Sequence, residues 1–166
     1  MITKNIKELH EDLLNKKITS KELVDESLKK CHSIQEATNS FVTIIDDAKE
    51  REVTEELVSG IPFGVKDNFS TKDILSTGSS NTLKDYVPFF DATAVLNLKN
   101  KGAVPVTKTV LDELGMGGTG TTGHTGIVHK QEVQQEVQHL SHVDAIHSLL
   151  EVIQVTQYVS QLHTVE

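Results

Sequence analysis

The sequence is short of cysteine, of positive charge and of long apolar runs. Cys31 is the only cysteine, so a disulfide framework is excluded, which suits a reducing cytoplasm. Lys and Arg number 16 against 24 Asp and Glu, a net charge of −8, which weighs against strong binding of a phosphate backbone by this chain. No apolar run approaches membrane-spanning length, and the charged N-terminus lacks the apolar centre of a signal peptide. We expect a cytoplasmic protein with no membrane partner and room for one domain with a core.

Hydrophobic periodicity and punctuation by glycine predict alternating helices and strands. In chain order these are a helix at 4–16, a helix from the Thr19–Glu22 capping box to Cys31, a strand at 41–45, a charged helix at 46–57, a buried strand at 61–65, a helix from an Asp91 cap to Lys101 with Gly102 as its stop, and a buried strand at 103–106. Residues 69–91 and 115–126 are predicted to be loops. Strand, helix and strand in succession indicate an α/β fold.

Four segments between Gly60 and Gly126 carry the most specific sequence. They are GIPFGVKDNFSTKD, in which Lys66 follows a short apolar run, then TGSSNTLKDY, DATAVLNLKNKGAVPVTKT and DELGMGGTGTTGHTG. Together they resemble the amidase signature family, and within it the A subunits of the amidotransferases that act on Glu-tRNA(Gln) or Asp-tRNA(Asn). The resemblance implies a mixed sheet wrapped by helices, of which residues 1–128 form an N-terminal part.

The resemblance also implies a chemistry. Members hydrolyse an amide with a Ser–Ser–Lys triad, and Lys66 stands at the position of the catalytic lysine. The lysine takes a proton through a bridging serine from a nucleophilic serine, which attacks the side-chain amide of glutamine. Backbone N–H groups stabilise the oxyanion. Met116 and Gly117 would be substrate neighbours, and no cofactor or metal is expected in this chain.

The same resemblance implies partners. Ammonia would pass to a B subunit, which uses ATP and Mg²⁺ and holds the tRNA, while a small C subunit bridges the two. Two alternatives stay open: descent from a stand-alone amidase of small amides, and a non-catalytic remnant.

Three residue patterns have competing interpretations. A lysine that acts as a base must be neutral, and desolvation at the end of a buried strand could lower the pKa of Lys66 accordingly. The competing interpretation is a surface lysine, which is the usual location of this residue type. Gly115–Gly120 matches the dinucleotide fingerprint G-x-G-x-x-G, but no helix follows to present its N-terminus. Ser79 and Ser80 lack the glycine-rich context of the family's serines and are interpreted as turn residues.

The composition changes after His129, and we place a boundary at Val128 to Lys130. All ten glycines and all three prolines precede it, whereas seven of the eight glutamines and four of the eight histidines follow it. The tail histidines His139, His142 and His147 fit no standard zinc spacing. An amphipathic helix is the other interpretation of the tail, carried by Leu140, Val143, Ile146, Leu150 and Ile153.

A third interpretation makes residues 129–166 an out-of-frame tail. All Gln and His codons begin with CA, and one codon each for Ser, Pro, Thr and Ala ends in CA. A one-base shift of the reading frame therefore turns a run of small residues into Gln and His. Shifted by one base, 131–138 permit T-G-G-S-A-G-G-S-A and 151–163 permit G-S-D-T-G-D-S-V-R-K-P-A-A-Y. These resemble the family's two serine segments, with Asp in place of one glycine. The chain as translated would then lack both serines, and we expect no glutaminase activity from it.

Overall fold

The computed structural model describes residues 4–129, which form three α-helices and a three-stranded sheet. The helices are α1 (Ile6–Leu14), α2 (Ser20–Thr38) and α3 (Thr93–Asn100), and the strands are β1 (Phe41–Ile44), β2 (Pro62–Lys66) and β3 (Val104–Thr109). Short 3-10 turns occupy Asn81–Leu83 and Glu113–Gly115. Within residues 4–129, none of the helices combines the length and the apolarity that crossing a bilayer requires.

Side-chain caps fix the starts of the first two helices. The predicted capping box at α2 is confirmed, because Thr19 Oγ1 accepts the Glu22 N–H at 3.2 Å and Glu22 Oε2 accepts the Thr19 N–H at 2.8 Å. Asn5 and Glu8 form a second capping box at α1. Helix α2 is longer than predicted and runs on past Cys31 until Asn39 adopts a left-handed conformation with φ of 50°.

The sheet has the order β1-β3-β2, with β3 antiparallel to β1 and parallel to β2. Phe63 pairs with Pro105, so these two residues face the same side while Val104 and Val106 face the other. Val104 and Val106 pack against Val24 of α2. The opposite face, carrying Phe63 and Val65, packs against Val95 and Leu98 of α3. The two helices therefore cover opposite faces of a mixed sheet, as an α/β fold requires.

A register shift changes which face the second half of β3 presents. Pairing jumps from Phe63–Pro105 to Gly64–Thr107, so Val106 has no counterpart on β2. Proline cannot donate to a sheet ladder and is tolerated at such bulges. Beyond the bulge Lys108 pairs with Val65 and so lies on the α3 face, not beneath α2 with Val106.

The predicted helix at 46–57 is wrong, because this segment is turn and coil. Its backbone groups bond to side chains from outside the segment: Ser20 Oγ accepts the Arg51 N–H, and Ser59 Oγ accepts the Thr54 N–H and donates to the Glu52 carbonyl. Val53 packs into the apolar cluster of α1 and α2. These tertiary contacts override the helical propensity of the charged residues.

Two element ends also differ from prediction. Asp91 does not cap α3, whose first turn has no side-chain cap, because Asp91 instead accepts from the Lys72 N–H and pairs with Lys99. Strand β3 continues past Val106 through three polar residues to Thr109. Polarity predicts the end of a buried strand there, but the Lys108 side chain is held inside by buried hydrogen bonds to the loop that follows β2.

Replacing Thr19 with Ala should lower the free energy of unfolding by about 1 kcal/mol, because the first-turn N–H of α2 loses its acceptor. Chemical denaturation of the full chain measures this. Thr19→Ser is the control, since it keeps the hydroxyl and should retain most of the stability. Equal losses in the two variants would contradict a capping role.

Candidate active site

Lys66 is the last residue of β2 and its side chain is exposed. The backbone of Lys66 pairs with Thr109 of β3. Among residues 4–129 its ammonium forms no ion pair. The burial anticipated for Lys66 from its place at a strand end is therefore not found in this part of the chain.

The buried lysine is Lys108, whose exposure is 0%. Its ammonium donates to the Phe69 carbonyl at 2.6 Å, to Ser76 Oγ at 2.6 Å and to Thr71 Oγ1 at 3.1 Å. All three acceptors lie in the loop that follows Lys66. An ammonium has three protons to donate, so the loop satisfies Lys108 completely.

Asp67, directly after Lys66, is the counter-charge of Lys108 and is also fully buried. Its Oδ1 lies 3.7 Å from Lys108 Nζ and has no hydrogen bond within residues 4–129. Its Oδ2 accepts the Thr77 N–H at 3.0 Å, the Thr77 hydroxyl at 2.6 Å and the Ser79 N–H at 3.2 Å. The carboxylate is thus held by one cation on one side and by a turn of the chain on the other.

Burial lowers the pKa of Lys108 from 10.5 to about 8, and the charges of Asp67 and Asp91 offset part of that effect. Desolvation disfavours the charged ammonium, while a nearby carboxylate favours it. Desolvation is the larger influence even though Lys108 has a carboxylate beside it.

The turn that Asp67 holds runs from Thr77 to Ser80. The Ser80 N–H donates to the Thr77 carbonyl at 3.1 Å, and the two central residues, Gly78 and Ser79, both have positive φ, as in a type I′ turn. Ser79 is a strained residue in this conformation, since it carries a side chain. Ser79 and Ser80 are buried turn residues, which agrees with the interpretation of the sequence.

Four hydrogen bonds join this turn to the glycine-rich segment, which we define as residues 111–126. Ser79 Oγ accepts the Leu111 N–H at 3.0 Å, and the Ser79 carbonyl oxygen accepts the His124 N–H at 2.9 Å. The Gly78 carbonyl accepts the Leu114 N–H at 2.8 Å. Ser80 Oγ donates to Glu113 Oε1 at 2.7 Å. The segment after Lys66 and the glycine-rich segment therefore form one hydrogen-bonded unit.

Asp112 organises the interior of the glycine-rich segment. Its two carboxylate oxygens accept consecutive backbone N–H groups at 2.8 to 3.1 Å, those of Thr119, Gly120, Thr121 and Thr122. These hydrogen bonds, that of Gly120 first, hold the pKa of Asp112 well below its ordinary value despite partial desolvation. Within the fingerprint Gly115–Gly120, the N–H groups of Thr119 and Gly120 are already bound by the Asp112 carboxylate. A phosphate there would have to displace an internal anion, so the local geometry does not favour the dinucleotide interpretation.

Met116 and Gly117 lie at the surface of this segment, and Met116 is 75% exposed. A Cβ on Gly117 would stand 2.6 Å from the Asp112 carboxylate, so glycine is required there for packing. A Cβ on Gly115 would lie 3.6 Å from Asn68 Nδ2. The start of the glycine-rich segment is thus adjacent to the residues that follow Lys66.

Metal ligation has no support within the described residues, since no group of three His, Cys, Asp or Glu side chains there is placed to hold an ion. The tail histidines, the boundary at Val128 to Lys130 and the out-of-frame interpretation concern residues that fall almost wholly outside 4–129, and they stay predictions.

Comparison with known proteins identifies the class. Residues 22–130 match the Amidase family, and the chain belongs to that family. It is 46% identical over 125 residues to the A subunit of the glutamyl-tRNA(Gln) amidotransferase of Streptococcus pneumoniae (strain Hungary19A-6), an alignment that covers 70% of this chain and 26% of that protein. The chain therefore spans about a quarter of the length of the curated relatives it matches.

Solved structures of amidases have a similar fold over the part that this chain covers. The A subunit of the glutamyl-tRNA(Gln) amidotransferase of Thermotoga maritima superposes with a TM-score of 0.53 at 30% identity, over 59% of this chain and 21% of that one. A fatty acid amide hydrolase superposes with a TM-score of 0.70 at 19% identity, over 76% and 24% of the two chains, and shows the fold alone. The predicted α/β amidase fold, incomplete in this chain, is confirmed.

Sequence reasoning did not find Lys108, Asp67 or Asp112. The available signal for Lys108 was its position in VPVTKTV, where β-branched residues on both sides argue for a continuing strand. Asp112 precedes a run dense in glycine, a context in which a carboxylate can collect backbone N–H groups. Neither signal identifies the partner of the charge.

Gly117→Ala should disorder the glycine-rich segment, because its Cβ would collide with the Asp112 carboxylate. Limited proteolysis of the full chain should show cleavage within residues 111–126 rising by about tenfold, as expected if opening costs on the order of 1 kcal/mol less.

Gly118→Ala is the matched control, since nothing lies within 4 Å of a Cβ at that position. If both variants are cleaved at the same rate, packing around Asp112 is not what orders the segment.

Proposed function

We propose that this chain is the N-terminal part of the glutaminase subunit of a tRNA-dependent amidotransferase, with Lys66 as its catalytic lysine. The observation that carries the proposal is the 46% identity over 125 residues to the A subunit of a glutamyl-tRNA(Gln) amidotransferase. The geometry supports it, because Lys66 ends β2 and the glycine-rich segment with Met116 and Gly117 is hydrogen-bonded to the loop that follows.

In the intact enzyme Lys66 would accept, through a bridging serine, the proton of the nucleophilic serine as that serine attacks the amide of glutamine. The exposed position of Lys66 leaves room for later parts of an amidase chain to cover and desolvate it. Met116 and Gly117 would contact the substrate. Release of ammonia and hydrolysis of the acyl-enzyme complete the reaction, with no metal or cofactor in this subunit.

The complex in which this subunit would act follows from the same proposal. A B subunit would use ATP and Mg²⁺ and hold the tRNA, and a C subunit would join the two in the cytoplasm. The acidic charge of this chain, −8, supports leaving tRNA contacts to a partner. A stand-alone amidase of small amides is the second candidate, favoured only by the shared fold of fatty acid amide hydrolase.

The chain as translated is proposed to be inactive alone. The support is the codon argument: both serine segments of the family can be encoded in one shifted frame of residues 131–163, and neither is present in the frame that is translated. Resequencing the DNA around codons 126–132 tests this. If the DNA encodes the present sequence, the chain without the two serine segments is the true product, as the proposal requires. If the corrected frame encodes both serine segments, the proposed inactivity is overturned.

A chimera tests the role of Lys66. Residues 1–128 replace the aligned part of the Streptococcus pneumoniae protein, which supplies the rest of an amidase chain together with its own partner subunits. Glutamate release from glutamine should be close to that of the parent, and Lys66→Ala should lower kcat by about a thousandfold because the proton acceptor is lost.

Lys101→Ala is the matched control, since Lys101 is an exposed lysine that pairs only with Glu56 within the described residues. An active Lys66→Ala chimera would overturn the assignment. The full 166-residue chain should release no ammonia from glutamine, and turnover that Lys66→Ala abolishes would show that the chain is active after all.

A further inference from the structure

The amidase site has a second lysine whose position is unusual. Lys108 is fully buried in a protein of net negative charge, and none of its hydrogen bonds goes to Lys66, Met116 or Gly117. A buried charge is expensive to desolvate and is retained only where it is fully bonded. The bonds of Lys108 therefore indicate which part of the chain it holds in place.

Every polar contact of the Lys108 side chain goes to the stretch of chain that follows Lys66. Its three hydrogen bonds end on Phe69, Thr71 and Ser76, and its ion pair ends on Asp67. The Asp67 N–H also donates to the Thr109 carbonyl at 3.1 Å, one residue beyond Lys108. The residues that directly follow Lys66 are therefore bound to β3 through both main-chain and side-chain contacts, which together we call the clamp.

The clamp continues to the glycine-rich segment. Asp67 Oδ2 holds the turn at Thr77 and Ser79, and the Ser79 hydroxyl and carbonyl hold Leu111 and His124. The path from Lys108 to the glycine-rich segment thus runs through buried groups, since Lys108, Asp67, Thr77 and Ser79 are each 0% exposed.

We propose that Lys108 is a positioning residue of the amidase site: through Asp67 and Ser79 it fixes the backbone after Lys66 and the glycine-rich segment relative to one another. This inference rests on the proposed function for its catalytic meaning, but its structural content is independent of it. Without Lys108 the Asp67 carboxylate is a buried, unpaired charge, and the loop 67–80 must open to hydrate it.

Hydrogen exchange of the full chain tests the clamp. Lys108→Met removes the ammonium and keeps the length of the side chain, and it should raise exchange of the Thr77, Ser79, Leu111 and His124 amides by about tenfold or more relative to the amides of α2. Lys108→Arg keeps the charge and should recover part of the protection.

Val106→Ala is the matched control, because Val106 is buried on the same strand but faces α2. It should raise exchange of α2 and β3 at least as much as exchange of the turn. If Lys108→Met has the same pattern as Val106→Ala, the proposal is overturned.

A second variant keeps the test decisive if Lys108→Met does not fold. Ser79→Ala leaves the ion pair intact and removes the hydroxyl that accepts the Leu111 N–H. Leu111 should therefore lose protection while Thr77 keeps it, and equal loss at both amides would overturn the proposal.

The chimera separates this inference from the proposed function. Lys108→Met should lower kcat/KM for glutamine by about tenfold or more, with partial rescue by Lys108→Arg and little change in Val106→Ala. An active chimera that is insensitive to Lys108→Met overturns the inference and leaves the proposed function standing. An inactive chimera counts against the proposed function, and hydrogen exchange then decides the inference.

Discussion

The buried ion pair of Lys108 and Asp67 is the interaction on which the loops at the Lys66 end of the sheet depend. Two opposite charges at 3.7 Å inside a protein do not by attraction alone repay the desolvation of both. Neutral groups supply the rest: three oxygens accept from the ammonium, and three donors of Thr77 and Ser79 reach the carboxylate. Loss of either charge leaves the other buried and unpaired, which typically costs about 3–5 kcal/mol. The loop after Lys66 is therefore ordered by electrostatics, not by an apolar core.

The bulge in β3 is what separates the apolar part of the sheet from this polar part. Up to Val106 the strand alternates between the α2 core and the α3 core, and Pro105 interrupts the ladder where the register shifts. Past the shift Lys108 turns toward the loops. Parallel strands β2 and β3 both end here, and ligand sites of α/β folds form outside the carboxyl ends of such strands. Lys66 and the glycine-rich segment follow those two ends, so topology brings together residues about 50 positions apart along the chain.

The sequence predicted the elements that local chemistry determines and missed those that a distant partner determines. The capping box at Thr19 and the apolar strand before Lys66 are encoded in adjacent residues, and both are present. The prediction of a helix at 46–57 is wrong because the side chains of Ser20 and Ser59 form hydrogen bonds with the backbone of this segment. Lys108 is buried, whereas the burial was expected at Lys66. A lysine can be buried in a strand when another loop supplies hydrogen-bond acceptors, as the loop after Lys66 does for Lys108. Spacing along one strand carries no information about that loop.

The glycine-rich segment shows why a motif must be interpreted with its bonding partners. Its consecutive N–H groups converge as they do in a phosphate-binding loop, yet the anion they surround is the carboxylate of Asp112, which belongs to the same segment. Gly117 is required because Asp112 fills the space beside it, and Gly123 because the Leu111 carbonyl oxygen lies 2.9 Å from where its Cβ would stand. The glycines thus permit a tight fold around an internal anion. Met116 lies outside this fold and is exposed, which is the position that the proposed substrate contact requires.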